Sequence, residues 1–259
     1  MSPSPAGPSL DAQVDKSIAV VLPRALATLL QPRPAVTTKT VQGLIFDIDG
    51  TLTDSNDIHA EAWQEAFRHF EIDFPYQEIR SQMGKGGDLL IPDLLNARQM
   101  RRFGKELGQY RRKIFQDRYM PRIRPFPHVP ETFAALAGLG IRMALASSSD
   151  EDEVKYYIEL LGIEEFIEKS TSKKDAEHSK PSPEIFKAAL DGLGTDESLT
   201  ATVGDTPYDI IASHRIPLPA IAVLSGGFER EQLRKSELLL ERMDEIPRRI
   251  DEVNAYFNE

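Results

Sequence analysis

Residues 44–54 read LIFDIDGTLTD, in which an apolar run meets one carboxylate, skips a residue to a second, and breaks at Gly-Thr. The β-branched and aromatic residues of 41–48, followed by a glycine turn, predict a buried strand. Because side chains alternate along a strand, Asp47 and Asp49 are expected on one face at its carboxyl end. Two such carboxylates repel each other unless a cation or a proton lies between them. The run therefore predicts a site for Mg²⁺, which prefers oxygen ligands, and the alternative is an acidic strand end that caps a helix.

A second apolar segment, residues 141–146, ends at Ser147 and is followed by two more serines and an aspartate. Ser149 and Asp150 both suit the N-terminal cap of a helix predicted over residues 153–161. Ser147, at the end of the strand, is therefore the better functional candidate of the three serines.

Lys180 opens the segment KPSPEIF, residues 180–186. Ser182 suits a helix N-cap and Pro183 suits the first helical position, so the lysine comes just before a helix start. The helix dipole favours an anion there, although most lysines in such places are simply solvated.

Predicted strands alternate with helical patterns along the chain, which indicates an α/β fold with a parallel sheet and helices on both faces. The strands are expected at residues 41–48, 141–147, 199–204 and 220–224, and the helices near residues 130–138, 153–161, 184–192 and 206–213. The third strand ends in Gly-Asp, and Asp205 is followed by Asp209 four residues later. Ligands of such sheets bind at the carboxyl ends of the strands, so Asp47, Ser147 and Asp205 are expected at one edge.

Taken in order, these four segments resemble motifs I to IV of the haloacid dehalogenase superfamily in its phosphatase branch. The resemblance implies a Rossmann-like core with a further strand near residues 166–170. It implies that Asp47 attacks phosphorus to form an aspartyl-phosphate, and that Asp49 gives a proton to the leaving oxygen and later takes one from water. The residues implied to bind the phosphoryl group are Thr51, Ser147 and Lys180. The residues implied at a Mg²⁺ cofactor are Asp47, Asp49 through its carbonyl, Asp205 and Asp209, the last orienting the site or meeting a metal-bound water.

Composition narrows the class of protein. The chain has 259 residues, enough for one good core and a smaller domain. Its net charge of −10, from 31 basic and 41 acidic residues, argues against nucleic acid or an anionic membrane as partner. There is no cysteine, which excludes disulfides, thiol nucleophiles and zinc–thiolate sites.

The first forty residues are expected to form a separate, partly disordered N-terminal extension. Residues 18–30 are apolar but are interrupted by Pro23 and Arg24, and 13 residues are too few to span a bilayer. A short helix or extension packed on the core, or a tail, is the expected form. A cytoplasmic protein is expected, because acids in this region and the lack of a clear cleavage site argue against a secretory signal.

The core domain is expected at residues 41–55 and 129–259, and the interval 56–128, which has no strand pattern, is expected to be an inserted helical cap. Its helices are predicted at residues 57–70, 75–82, 88–95 and 99–119. An insert at this point resembles the cap of β-phosphoglucomutase and phosphoglycolate phosphatase-like members of the superfamily. Closing such a cap removes water and positions the leaving group of the substrate.

Two cap residues are candidates for substrate binding. His59 shares a helical face with Trp63, and by the resemblance it faces the active site; the alternative is a satisfied histidine in an apolar core stripe. Lys85 lies in the sequence MGKGGD, residues 83–88, where glycines let the backbone approach a ligand closely. The alternative there is a flexible turn, since the spacing is not that of a P-loop.

The function expected from these features is Mg²⁺-dependent hydrolysis of a small phosphorylated metabolite, such as a sugar phosphate or a phosphoglycolate-like acid, by a monomer or weak homodimer. A phosphomutase of the β-phosphoglucomutase type uses the same core and stays open as an alternative. A dehalogenase is disfavoured by the second aspartate and by Asp205. A catalytically silent binding module is disfavoured because Asp47, Asp49, Lys180 and Asp205 are all present.

Overall fold

The computed structural model of the chain describes residues 38–258. Its central element is a six-stranded parallel sheet. The strands, in chain order, are β1 (Gly43–Phe46), β2 (Thr53–Asp54), β3 (Arg124–Pro125), β4 (Arg142–Ala146), β5 (Ile167–Thr171), β6 (Thr200–Gly204), β7 (Ala220–Val223) and β8 (Leu238–Leu240). The order across the sheet is β5-β4-β1-β6-β7-β8, and β2 pairs with β3 in a separate antiparallel ribbon. The α/β fold and the parallel sheet predicted from the sequence are confirmed.

Helices connect the strands and form the insert. The α-helices are α1 (Asn56–His69), α2 (Tyr76–Arg80), α3 (Gly87–Leu94), α4 (Ala97–Ile114), α5 (Val129–Gly138), α6 (Glu151–Leu161), α7 (Glu184–Leu193), α8 (Pro207–His214), α9 (Arg230–Leu233) and α10 (Ile250–Ala255). A π-helix at Phe115–Tyr119 continues α4, and short 3-10 helices lie at Met120–Arg122, Glu164–Phe166, Lys173–Asp175, Glu197–Leu199, Leu224–Gly226 and Met243–Arg249. Within the described range, no helix is both long and apolar enough to cross a membrane.

Strand β1 lies inside the sheet because both of its faces are apolar. Leu44 and Phe46 pack into the larger hydrophobic cluster, whereas Ile45 points the other way into a second cluster. All three side chains are fully buried, so each contributes about 1.5–3 kcal/mol of hydrophobic stabilisation. A nearly continuous apolar strand is the pattern of a parallel sheet covered on both faces.

Helices α1–α4 form the insert and have a hydrophobic cluster of their own. Its buried side chains include Trp63, Phe67, Ile79, Leu90 and Leu107. The cluster gives the insert a separate small core, so the inserted all-helical cap expected for the fold is confirmed.

The two connections between sheet and insert run side by side. β2 follows the first acidic run and pairs with β3, which precedes α5, so Thr53 lies opposite Pro125. The expectation that residues 56–128 contain no strand is therefore wrong at Arg124–Pro125. Proline fits in this ribbon because a two-stranded ladder has open edges on which no N–H donor is required.

The predicted domain boundaries stay a prediction. They are residues 41–55 and 129–259 for the core and residues 56–128 for the cap. The predicted N-terminal extension, residues 1–40, lies outside the described residues apart from its last three positions.

Some local details differ from the sequence prediction. Helix α7 begins at Glu184 with Pro183 at the N-cap, so Ser182 lies one position outside the helix. The Ser182 hydroxyl instead donates to Glu184 Oε1 at 3.0 Å. Asp150 occupies the N-cap of α6, but its side chain makes no capping hydrogen bond. Strand β8 and helix α10 have no counterpart among the predicted elements, because neither carries a long periodic pattern.

Candidate active site

The carboxyl ends of three adjacent strands bring the predicted site residues to one edge of the sheet. Phe46 of β1 lies in register with Leu145 of β4 and Val203 of β6, so the three strands end at nearly the same level. The residues that follow, Asp47, Ser147 and Asp205, therefore emerge together. The backbone N–H of Asp47 donates to the carbonyl of Val203 at 2.8 Å, which holds the strand end in place.

Three buried carboxylates meet at this edge. Oxygen atoms of Asp47, Asp205 and Asp209 lie within 4.8 Å of one another. Lys180 is only 2% exposed and reaches into the cluster, where its Nζ donates to Asp209 Oδ1 at 2.7 Å and to Asp47 Oδ1. Three carboxylates thus face one ammonium group, and the cluster has more negative than positive charge when all of them are ionised.

The shifts in pKa reflect this imbalance. Burial raises the pKa of Asp47 to about 7; Lys180 opposes the rise, whereas Asp209 and Asp49 add to it. Burial, then the charges of Asp209 and Asp47, likewise raise the pKa of Asp205 well above its usual range. Burial lowers the pKa of Lys180, but its two carboxylate partners outweigh burial and raise it, so the lysine stays charged. The oxygen donors and the surplus negative charge fit a hard divalent cation such as Mg²⁺.

Asp205 is held by residues from separate parts of the chain. Asn56, the first residue of α1, donates from Nδ2 to Asp205 Oδ2 at 2.7 Å and to the carbonyl of Gly226 at 3.1 Å. The Thr51 hydroxyl donates to Asp205 Oδ1 at 3.3 Å. Gly226 must be glycine, because a Cβ there would lie 1.7 Å from Asp205 Oδ2. Sequence reasoning missed Asn56, although its position directly after the acidic run was a usable signal.

Asp209 is fixed by the start of α8 as well as by Lys180. Its Oδ2 accepts from the Thr206 hydroxyl at 2.6 Å and from the Thr206 backbone N–H at 3.0 Å, and the Thr206 hydroxyl accepts in return from the Asp209 N–H. This capping box turns the other oxygen, Oδ1, toward Lys180. Both carboxylate oxygens of Asp209 therefore accept hydrogen bonds from fixed donors.

Asp49 points away from the acidic cluster and toward the cap. Its Oδ1 accepts from the Ser55 hydroxyl at 2.6 Å and lies 2.9 Å from His59 Nε2. Burial alone would raise the pKa of Asp49, but its contact with His59 and the hydrogen bond from Ser55 hold that pKa well below its usual range. The two acids of the first motif therefore have opposite environments, with the pKa of Asp47 raised and that of Asp49 lowered.

His59 lies on helix α1 of the insert and faces Asp49; its role in substrate binding stays a prediction. Arg111 Nη2 contacts His59 Nδ1, and because a guanidinium group can only donate, Nδ1 accepts and the proton lies on Nε2. That proton is donated to Asp49 Oδ1. The imidazole ring also stacks on Phe115, with centroids 4.3 Å apart, so its orientation is fixed.

A cavity of about 610 Å³ lies between the sheet edge and the cap. Residues that line it include Asp47, Asp49, Lys180, Ser148, Ser149 and Glu153 from the core and His59, Trp63, Lys85, Asp88 and Arg111 from the insert. Ser147 itself is buried, and its Oγ accepts from the Ser149 backbone N–H at 3.1 Å.

Lys85 lines the cavity, but its charge already has partners. Its Nζ donates to Gln82 Oε1 at 2.6 Å and to Asp93 Oδ2 at 2.7 Å, and it lies 5.0 Å from the centre of the Tyr208 ring. A substrate anion would compete with Asp93 for this lysine.

Arg111 is a cavity residue that sequence reasoning missed. Its guanidinium lies over the rings of Trp63 at 5.0 Å and Phe115 at 4.3 Å. It shares the buried face of α4 with Leu107 and Ile114, spaced i, i+4 and i+7. A cation on the apolar face of a helix was the available signal.

The model of the haloacid dehalogenase-like hydrolases matches residues 44–223. The chain belongs to this family. It is 26% identical over 183 residues to the pyrophosphatase PpaX of Oceanobacillus iheyensis, which covers 71% of this chain and 83% of the relative. It is also 26% identical over 184 residues to the phosphoglycolate phosphatase of Aquifex aeolicus, covering 71% and 84%. These relatives and the family match identify this haloacid dehalogenase-like hydrolase as a phosphatase.

The fold of the chain is also similar to the folds of solved structures. The crystal structure of β-phosphoglucomutase from Clostridium difficile matches with a TM-score of 0.69 at 19% identity, over 85% of this chain and 100% of that chain. The likeness confirms the fold, cap included, that the sequence resemblance implied.

The cap of this phosphatase is tied to the loop that carries Lys180. The Gly86 backbone N–H donates to Ser179 Oγ at 3.0 Å, and the Ser179 backbone N–H donates to Asp88 Oδ2 at 3.1 Å. Ser179 directly precedes Lys180, so both hydrogen bonds fix the backbone from which the lysine extends. The glycine-rich cap segment thus positions a core residue.

We expect Mg²⁺ to raise the thermal unfolding midpoint of the chelated protein, and to raise it more at about pH 8 than at about pH 5. Folding raises the pKa of Asp47 from 3.8 to about 7. The ion-free fold therefore loses stability as pH rises through that interval, because the unfolded chain has already released the proton. A bound cation takes the place of that proton. Thermal scans in EDTA and in Mg²⁺ at both pH values measure the difference.

Asp205→Asn is the critical variant in these scans, since it keeps the side-chain shape and removes one charge of the cluster. It should weaken the Mg²⁺ effect strongly and should stabilise the chelated protein at about pH 8. Asp54→Asn changes an exposed aspartate and is the matched control. A Mg²⁺ effect that is equal at both pH values, or that survives Asp205→Asn, contradicts a cation site at this cluster.

The hydrogen bond between Asp88 of the cap and the Ser179 backbone leads to a separate expectation. Asp88→Ala should lower kcat for p-nitrophenyl phosphate by roughly 2- to 10-fold, the value of one hydrogen bond, because the Ser179–Lys180 backbone is no longer held. Asp88→Asn should retain most of the activity, since its amide oxygen still accepts from Ser179. Equal loss in both variants would show that the carboxylate charge, not the hydrogen bond, matters.

Proposed function

We propose that this phosphatase is a Mg²⁺-dependent phosphomonoester hydrolase that acts on a small phosphorylated metabolite through an aspartyl-phosphate. The observation that supports it most is the buried pair of Asp47 and Lys180, which lines the cavity beneath the cap. Relatives named for pyrophosphate and phosphoglycolate support a small substrate that carries a phosphoryl group.

Asp47 is the proposed nucleophile. One of its carboxylate oxygens attacks phosphorus while the bond to the leaving oxygen breaks, which gives an acyl phosphate on the side chain. Water then attacks the same phosphorus, the bond to Asp47 breaks, and phosphate leaves. Lys180 is anchored by Asp209 throughout, so its charge stays beside the phosphoryl oxygens on which negative charge develops.

Asp49 is the proposed acid and base. Its low pKa favours the carboxylate in the free protein, but a bound phosphoryl group brings negative charge that raises the pKa again. The protonated Asp49 then gives its proton to the leaving oxygen, and the resulting carboxylate takes one from the attacking water. His59 and Ser55 donate to Asp49 Oδ1. Oδ2 accepts only a long hydrogen bond, 3.5 Å, from the Ser149 hydroxyl, so Oδ2 is the oxygen proposed for this transfer.

The residues proposed to hold Mg²⁺ are Asp47, Asp49 through its carbonyl, Asp205 and Asp209. When bound, the ion supplies positive charge that offsets the clustered carboxylates and the phosphoryl oxygens. Thr51 and Ser147 are proposed to donate their hydroxyl protons to the phosphoryl group. The Thr51 bond to Asp205 is long, at 3.3 Å, so its proton can be redirected at little cost.

Asp47→Asn should lower kcat for p-nitrophenyl phosphate by at least about 10³-fold, because an amide oxygen is a poor nucleophile. The fold should persist, since Lys180 keeps Asp209 as its partner. Steady-state rates, with the thermal midpoint as a check of folding, measure this, and Asp54→Asn is the matched control. An Asp47→Asn variant that retained a tenth of the wild-type kcat would contradict the proposed mechanism.

The product separates a hydrolase from a phosphomutase. With a hexose 1-phosphate as substrate and Mg²⁺ present, we expect inorganic phosphate to accumulate in step with substrate loss. Phosphorus NMR of the mixture records both species. Accumulation of hexose 6-phosphate with little free phosphate would instead assign the chain to the mutases.

A further inference from the structure

Three buried polar atoms of the described residues lack any hydrogen-bond partner, and all belong to residues of one cavity. They are Arg111 Nε, Ser148 Oγ and Glu153 Oε1. All three residues line the cavity that also contains Asp47 and Asp49. Buried polar atoms in folded proteins nearly always have a partner, so a group of three orphans around one cavity indicates that a ligand supplies it.

Glu153 is the most unusual member of this group. It is only 2% exposed, although glutamate is rarely buried without a partner. It lies on α6, and no residue of the described chain forms a salt bridge with it within 4.0 Å. Glu153, Arg111 and His59 line the same cavity. Burial raises the pKa of Glu153, and the charge of Arg111 opposes the rise.

The chemistry of the three atoms restricts the ligand. A guanidinium N–H only donates, an ionised carboxylate only accepts, and a serine hydroxyl does either. A hydroxyl group can pair with any of the three atoms, because it can accept from Arg111 and donate to Glu153. A second phosphate or carboxylate offers acceptors alone, and it would face the Glu153 carboxylate as a like charge.

We propose that Glu153, with Ser148, binds a hydroxyl group of the leaving part of the substrate, so that the chain prefers polyol or sugar monophosphates to phosphorylated acids. This inference rests on the proposed phosphatase function and adds the substrate class to it. Glu153 acts as a specificity residue in two ways: it accepts a hydrogen bond from the hydroxylated substrate, and it repels the anionic one.

Pairs of substrates that differ in one group test the proposal. Glycerol 3-phosphate and 3-phosphoglycerate differ by a hydroxymethyl group in place of a carboxylate, as do sorbitol 6-phosphate and 6-phosphogluconate. The wild-type kcat/KM should favour the alcohol in at least one pair by about ten-fold or more. Preference for the acid in both pairs would overturn the proposal.

Glu153→Gln keeps the side-chain shape and removes the charge. It should shrink the alcohol-to-acid ratio by about ten-fold, chiefly by lowering KM for the acid. Ser148→Ala should lower kcat/KM for the alcohol alone. Glu159→Gln, an exposed residue of the same helix, is the matched control and should change neither ratio.

Hydrolysis of p-nitrophenyl phosphate, whose leaving group has neither a hydroxyl nor a second anion, keeps the two proposals distinguishable. Absence of this activity in the wild type would count against the proposed function. The Glu153→Gln variant could hydrolyse p-nitrophenyl phosphate normally and keep the wild-type alcohol-to-acid ratio of kcat/KM. It could also keep that ratio while its thermal unfolding midpoint falls strongly. In both cases Glu153 would only balance the charge of Arg111. Either result would overturn the inference.

Discussion

The excess of negative charge at one edge of the sheet is the constraint on which the rest of the site depends. Asp47, Asp205 and Asp209 are buried around a single lysine, and burial works against the ionised forms of Asp47 and Asp205. A parallel sheet produces this arrangement by itself, since adjacent strands end at the same level. The neighbouring residues then hold the acids: Asn56 donates to Asp205, and the α8 capping box fixes Asp209. With a net charge of −10, the chain attracts an anionic substrate only locally, through Lys180 and the cation proposed at this cluster.

Residues of the cap position the reactive groups of the core and do not only cover the cavity. The cap's His59 orients Asp49, and its Gly86 and Asp88 hold the backbone before Lys180. Both the proposed proton donor and the fixed positive charge therefore depend on contacts that exist when the insert meets the core. Recognition of the leaving group takes place in the same cavity, so binding a complete substrate and assembling the reactive groups are coupled.

The sheet and its acidic edge were predictable because they depend on short-range signals. Alternation along β1 and the glycine turn after it place Asp47, and the rule for strand ends places Asp205 beside it. The N-cap of α7 was less predictable, because Ser182 suits an N-cap by its local pattern whereas Pro183 occupies that position. Arg111 and His59 are 52 positions apart, and His59 and Tyr157 are 98 apart. Such contacts depend on how the cap docks, which no spacing within one helix reveals.

The most direct test of the account is to find the phosphoryl group on the protein during turnover. The protein is mixed with Mg²⁺ and excess p-nitrophenyl phosphate, quenched in acid within the turnover time, digested, and mapped by mass spectrometry. The account predicts one phosphorylated peptide, with an acyl phosphate on Asp47 that hydroxylamine removes and that Asp47→Asn lacks. Steady phosphate release with no labelled peptide in the earliest quenched samples, or a label on a different residue, would contradict it.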